Sequence, residues 1–311
     1  RDTDRSRGLG DVYKRQFMTR ENSIPEIVGT GETKITSNNG EMENKGLDLA
    51  IDYNKQITKD FFLSFKSTLT FARNKVLKMD EPPYFEYPGL SDVGHPLGTY
   101  WGYVADGLFP DQETIDNSPR QDLGYTPQPG DIKYVNQPNA KGEYDNVINS
   151  NDRVAIGHPY DPELVYGFGP SMKWKNWDFS FFFQGVARTS FMMYGMHPFG
   201  TTSIKNMLQF VADDHWSVDN PNPNAAYPRL TKDSNGNNDQ YSTYWLRNAA
   251  FLKLKNAEIG YTYKGMRFYL SGVNLLTFSP FKHWDPEMGG GNGLYYPTQR
   301  VFNIGFQMTI Q

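Results

Sequence analysis

Alternation of apolar and polar side chains is the dominant signal along this chain. From Gly46, Leu47, Leu49, Ile51 and Tyr53 share one side and Asp48, Ala50 and Asp52 the other, the period of a strand with one apolar and one wet face. A polar connection, Asn54 to Asp60, leads to a second strand with Phe61, Leu63, Phe65, Leu69 and Phe71 opposite Ser64, Lys66, Thr68 and Thr70. Helical spacing of three and four is missing from both. The pattern recurs in pairs: Val165 to Trp174 and Trp177 to Arg188 flank Lys175-Asn176, and Phe251 to Tyr263 and Met266 to Leu275 flank Lys264-Gly265, where Gly tolerates positive φ. Phe302, Ile304, Phe306, Met308 and Ile310 alternate with Asn303, Gly305, Gln307 and Thr309 in the last segment. Seven strands result, each close to the roughly 9–11 residues a tilted strand needs to cross a bilayer.

The connections alternate as well. Those after the first, third and fifth strands are short; those after the second, fourth and sixth (residues 74–164, 189–247 and 276–299) are long. Long loops without structure of their own are uncommon inside compact soluble domains. Short turns on one side and long loops on the other are the layout of an outer-membrane barrel, with the long loops extracellular. The expected fold is therefore all-β, the C-terminal part of a large transmembrane β-barrel, with about seven antiparallel strands. Seven strands do not close such a barrel, since single-chain bacterial barrels have even counts from about eight upward, so the remaining wall and the plug are expected upstream. A soluble carbohydrate-binding β-sandwich is the alternative; it predicts no alternation of connection length.

Composition sharpens this picture. The 311 residues contain no cysteine, which excludes disulfide scaffolds, thiolate metal sites and cysteine nucleophiles. With 31 basic against 35 acidic residues there is no nucleic-acid footprint. No apolar run is long enough for a spanning helix, which excludes helical membrane proteins only. Residues 1–16, RDTDRSRGLGDVYKRQ, are dense in Arg and Asp, have no apolar stretch and resemble translated sequencing-adaptor read-through or a disordered leader. The division expected is thus 1–16 as leader and 17–311 as barrel.

Specific motifs extend the reading. Asn39-Gly40-Glu41-Met42-Glu43-Asn44-Lys45-Gly46 precedes the first strand. Gly94-His95-Pro96-Leu97-Gly98 runs into Trp101-Gly102-Tyr103 and Asp106-Gly107-Leu108-Phe109. Pro129-Gly130-Asp131-Ile132-Lys133-Tyr134 is followed by Asp152-Arg153 and Tyr166-Gly167-Phe168-Gly169. Tyr244-Trp245-Leu246-Arg247, Leu252-Lys253-Leu254-Lys255-Asn256, Gly272-Val273-Asn274-Leu275, Asp285-Pro286-Glu287, Tyr295-Tyr296-Pro297 and Arg300 come after them in order. From about Asn38 onward this ordered set resembles the C-terminal barrel portion of SusC/RagA-type TonB-dependent outer-membrane transporters. The resemblance implies a Gram-negative outer-membrane location and import of oligosaccharides or oligopeptides. It implies as partners a SusD-like surface lipoprotein and, through an N-terminal plug, the TonB-ExbB-ExbD complex. It also implies that residues 17–311 alone do not transport. Two departures stand out. Between the K-Y and D-R elements the family often carries an acidic run resembling a calcium loop, but Asn136 to Asp145 breaks its carboxylate spacing and adds Lys141. No cofactor is therefore expected, and loop Ca²⁺ is disfavoured. The chain also ends Ile310-Gln311 where family barrels commonly end on Phe.

No catalytic set emerges, and no enzyme activity is expected. His95, His158, His197, His215 and His283 are scattered through loops without a helical pair, so no metal cluster is indicated. Asp213-Asp214 with His215-Trp216 reads as a solvated loop, and Gly289 to Gly293 lacks the Lys-Ser/Thr of a phosphate loop. Loop aromatics are the candidates for solute contact: Trp101, Tyr103, Phe109, Trp216, Trp284 and Tyr295, with Tyr227, Trp245 and Tyr296 nearby. The competing expectation is that such rings pack loop against loop, or form the girdle at the membrane boundary, as Trp174 and Trp177 do.

Overall fold

A computed structural model describes residues 10–11, 14–22, 35–195, 208–231 and 235–308. Seven long strands form the wall: β1 (Ile35–Thr58), β2 (Phe61–Lys78), β3 (Leu164–Trp174), β4 (Trp177–Ala187), β5 (Phe251–Tyr263), β6 (Met266–Phe278) and β7 (Val301–Met308). Each pairs antiparallel with its sequence neighbour in one continuous sheet. The expected strand count and order hold. Several ends move, however. Asn54 to Thr58 is strand, so the first turn shrinks to Lys59-Asp60, and β2 and β6 run on to Lys78 and Phe278. Mainly polar side chains hid the ends of β1 and β2, where a strand beyond the apolar zone no longer needs an apolar face, whereas β6 continues its apolar alternation through Leu276 and Phe278. Positive φ at Lys175 (53°), Lys264 (45°) and Gly265 (79°) closes the other two turns. Gly10–Asp11 and Lys14–Asn22 lie antiparallel to β1, so the backbone of part of the 1–16 leader follows the sheet edge; residues 1–9 lie outside the described set.

Register shows what the two faces do. Phe61, Trp174, Trp177, Tyr261, Phe268 and Phe306 stand directly opposite one another across β2 to β7. This aromatic row sits at the short-turn end, where Trp177 and Tyr261 approach to 4.8 Å between ring centroids. Above it the same face carries Leu47, Ile51, Phe181, Ile259, Leu270, Leu276 and Phe278, all exposed. An exposed apolar face of this extent requires a lipid or protein environment. A sandwich would cover it with a second sheet, and among the described residues none lies there. The opposite face carries Thr68, Thr70, Ser180, Gln184, Asn256 and Ser271, and near the short turns Arg267 bridges Asp178 (3.0 Å) and Glu258 (2.5 Å). Polar alternation, rather than solubility, accounts for the hydrophilic average of the chain.

Candidate functional site: a loop body on the polar face

The described residues of the three long connections, 79–163, 188–250 and 279–300, fold into one body. Short ladders hold it: Tyr100–Gly102 with Val154–Ile156, Ala105–Leu108 with Ile132–Tyr134, and Ser190–Met192 with Leu246–Asn248. Bridges Tyr103 to Ser242 and Met193 to Gly291 join the first loop to the second and the second to the third. Its interior is built from Tyr103, Ile132, Tyr134, Phe191, Tyr227 and Trp245. Ring burial supplies the drive for this packing.

That core decides where the candidate aromatics stand. Tyr103, Phe109 and Trp216 are 3%, 1% and 7% exposed and pack inside the loop body. Trp216 lies on Gly130, whose φ of 88° and missing Cβ make room for the indole. Trp284 is half-buried, set edge-on to Phe281 at 4.5 Å, and its indole N–H donates to Gly289 O at 2.9 Å. Tyr295 is 57% exposed and flanks Gly291 together with Tyr194. Trp101 is half-exposed, with His95 edge-on at 5.1 Å. Of the six, Tyr295 is exposed, and Trp101 and Trp284 are partly accessible. The glycine run is not loose: a Cβ on Gly290 would collide with the Met192 carbonyl, so the run lets the third loop close on the second.

Sequence reasoning missed a buried polar knot between the first two loops. Asp131, fully buried, accepts from Arg229 Nε (2.7 Å), Asn235 Nδ2 (3.0 Å) and Asn238 Nδ2 (2.8 Å). Asn237 Nδ2 and Gln121 Nε2 both donate to Ile132 O, and the Trp245 indole donates to Asn238 O at 2.7 Å. Burial opposes the Arg229 charge, but the Asp131 carboxylate outweighs it and raises the guanidinium pKa. Burial likewise pushes the Tyr134 phenol up, while its O–H donates to Asn237 O at 2.7 Å. Unmade bonds here would cost more than the made ones contribute, so the knot imposes one arrangement of the loops. Beside it lies a cavity of about 240 Å³, lined by Met193, Tyr194, Tyr227, Leu230, Tyr241 and Trp245. The amides of Asn235 and Asn238 on its wall are engaged within the protein, which leaves a mostly apolar surface.

The third loop is fastened to the polar face. Lys253, fully buried on β5, donates to Asp285 Oδ2 at 2.7 Å and Glu287 Oε2 at 2.5 Å, and Lys255 reaches Glu287 at 2.6 Å. Burial alone would raise the Asp285 carboxyl; hydrogen bonds from Lys253 and Thr298 outweigh it and hold the group below the usual carboxylate range. Glu287 follows the same balance, with Lys253 and Lys255 prevailing over burial. Two of the sequence motifs, Leu252 to Asn256 and Asp285 to Glu287, thus meet in space.

Among the described residues no group of three or more His, Asp or Glu side chains could hold a metal ion. Asp213 is engaged by Gln209 Nε2 at 2.6 Å, and His215 Nδ1 lies 2.8 Å from Ala212 O. His197 lies outside the described residues, as do Ile310 and Gln311.

A sheet with an exposed apolar side, an aromatic row and a polar side overlaid by loops has the layout of an outer-membrane barrel wall. In sequence and in fold the chain is similar to TonB-dependent receptors of the SusC/RagA type. The chain is 28% identical to TonB-dependent receptor P26 of Formosa agariphila, over 90% of this chain and 30% of that protein. It is 26% identical to TonB-dependent receptor SusC of Bacteroides thetaiotaomicron, over 96% of this chain and 29% of that one. The RagAB peptide transporter structure superposes with a TM-score of 0.67 at 20% identity, covering 96% of this chain and 33% of that chain. The RagAB peptide importer in its open-open state gives 0.69 at 19% identity. No family model matches the sequence. The chain spans about 30% of the length of the curated relatives it matches.

Proposed function

We propose that this chain forms wall and loop body of an outer-membrane importer for an oligosaccharide or oligopeptide. The observation that supports it most is the folding of all three long loops, as one cross-linked body, onto the polar face of the sheet. Solute would meet that body from outside, beneath a SusD-like surface lipoprotein, and pass along the polar face when TonB, energised by ExbB and ExbD, displaces a plug. The solute's bonds stay intact throughout, and neither catalysis nor a resident cofactor is part of this reading.

Two measurements test it. Fractionation of the source bacterium is expected to find the protein in the outer membrane, and affinity purification from detergent extract to recover a surface lipoprotein with it. Deletion of the gene is expected to stop uptake of a labelled oligosaccharide or oligopeptide that the parent strain accumulates. A soluble protein, or unchanged uptake across a panel of both solutes, would refute the proposal.

A further inference from the structure

A second recess, of about 320 Å³, opens on the first loop and is lined by Tyr84, Asp92, Trp101, Ser150, Asn151 and Arg153. Three local devices set its walls. Trp101 pairs with Ala155 in the ladder of Tyr100–Gly102 and Val154–Ile156, which makes Arg153 its diagonal neighbour on the same face. Ser150 and Asn151 sit in a capped turn: Asn149 Oδ1 accepts the Asn151 N–H at 2.8 Å, and Asp152 Oδ2 accepts the Asn149 N–H at 2.7 Å. Asp152 also accepts the Gln137 N–H at 2.7 Å, so its buried carboxylate braces the turn from behind. Opposite, the Asp92 N–H donates to Glu81 Oε2 at 3.0 Å, and His95 steadies the Trp101 indole.

The braced backbone contrasts with side chains that are not engaged. Among the described residues, the Tyr84 hydroxyl, the Asp92 carboxylate, the Trp101 indole N–H and the Ser150 hydroxyl make no hydrogen bond to protein. Arg153 uses only its Nε, on Ser150 O at 3.3 Å, and leaves both Nη atoms open. The apolar cavity beside Trp245 differs, since the amides of its wall are tied to Asp131.

A half-exposed indole amid unengaged donors and acceptors matches a particular ligand chemistry. A pyranose ring presents a C–H face that lies on a flat aromatic surface, and hydroxyls that both donate and accept. One cation and one carboxylate balance in the recess, so a sulfate or uronate drawn to Arg153 would meet Asp92. An extended peptide docks chiefly through a ladder of backbone hydrogen bonds, whereas the groups gathered in this recess are side-chain hydroxyls, an indole N–H, a carboxylate and a guanidinium. The volume lies at the low end for ligand pockets, enough for one ring of a longer chain.

We propose that the Trp101 recess is a sugar subsite that holds one neutral pyranose residue of an incoming oligosaccharide. It rests on the import reading above and narrows its solute to a neutral glycan.

The test is titration of the purified protein in detergent, followed calorimetrically, with malto-, cello-, xylo- and mannohexaose, oligogalacturonate and an uncharged Ala-Gly-Ser peptide. At least one neutral hexasaccharide is expected to bind. Trp101→Ala should weaken it about tenfold, with Trp101→Phe retaining most of the affinity. Arg153→Ala should weaken it too, and Val218→Ala, exposed on the second loop and outside the recess, should not. Binding of none of the neutral glycans, preference for oligogalacturonate or peptide, or wild-type affinity in Trp101→Ala would each overturn the subsite. A peptide that binds, and whose uptake depends on the gene, would overturn it while leaving the import reading intact; loss of both would remove the two together.

Discussion

The ammonium of Lys253 and the carboxylate of Asp285 meet at 2.7 Å, joining the loop end of a barrel strand to a loop that begins after the next strand. Lys253 is fully buried, so its partners are what keep a charge tolerable there.

Replacing Lys253 by Met strands Asp285 and leaves Glu287 with Lys255 alone. The expected cost is about 3–5 kcal/mol, the range for breaking a buried ion pair from one side. Adding Asp285→Asn and Glu287→Gln should recover most of it. Thermal unfolding in detergent, with hydrogen exchange of residues 285–298, reads both effects.

The same contact gives a pH dependence whose sign follows from the two lowered carboxyls. As pH falls, the unfolded chain takes up protons first, so stability is complete above about pH 4–4.5 and declines through the lower folded-state values. Hydrogen-exchange protection of the third loop, corrected for intrinsic rates, should therefore drop below about pH 4. Flat protection across that interval would show that the ion network does not hold the loop.

Gly130→Ala places a methyl against the Trp216 ring at a φ of 88°. Strain and overpacking together are expected to cost about 1–3 kcal/mol and to shift Trp216 fluorescence, with little change in the sheet's circular dichroism.

Neighbouring residues on β4 test the assignment of faces. Phe181→Lys puts a charge toward lipid near mid-strand and is expected to cost about 2–4 kcal/mol in folding into vesicles. Ser180→Lys, one position away on the polar side, should be nearly neutral. Equal penalties would contradict the assignment.

Strand alternation made the wall legible before any coordinates, since each strand carries its pattern within about ten residues. The loop body was not legible, because its bonds join distant positions: Asp131 to Arg229, Gln121 to Asn237, Lys253 to Asp285. No local period records such pairings. Residue type marked Phe109 and Tyr295 alike as ring-bearing loop positions, yet one is 1% and the other 57% exposed. Both halves of the Lys253 network stood out as motifs, and only the fold shows that they serve one contact.

The aromatic row also sets a length. From Phe61 to Phe71, from Trp174 back to Leu164 and from Phe268 to Phe278, the apolar face rises ten residues above the row. At ~3.3 Å per residue and a tilt near ~40°, that is about 25 Å of hydrocarbon. The chain thus carries a gauge of membrane thickness in its own register. It fits the thin bacterial outer membrane without strain, whereas a thicker bilayer would have to thin around it or cover polar strand ends.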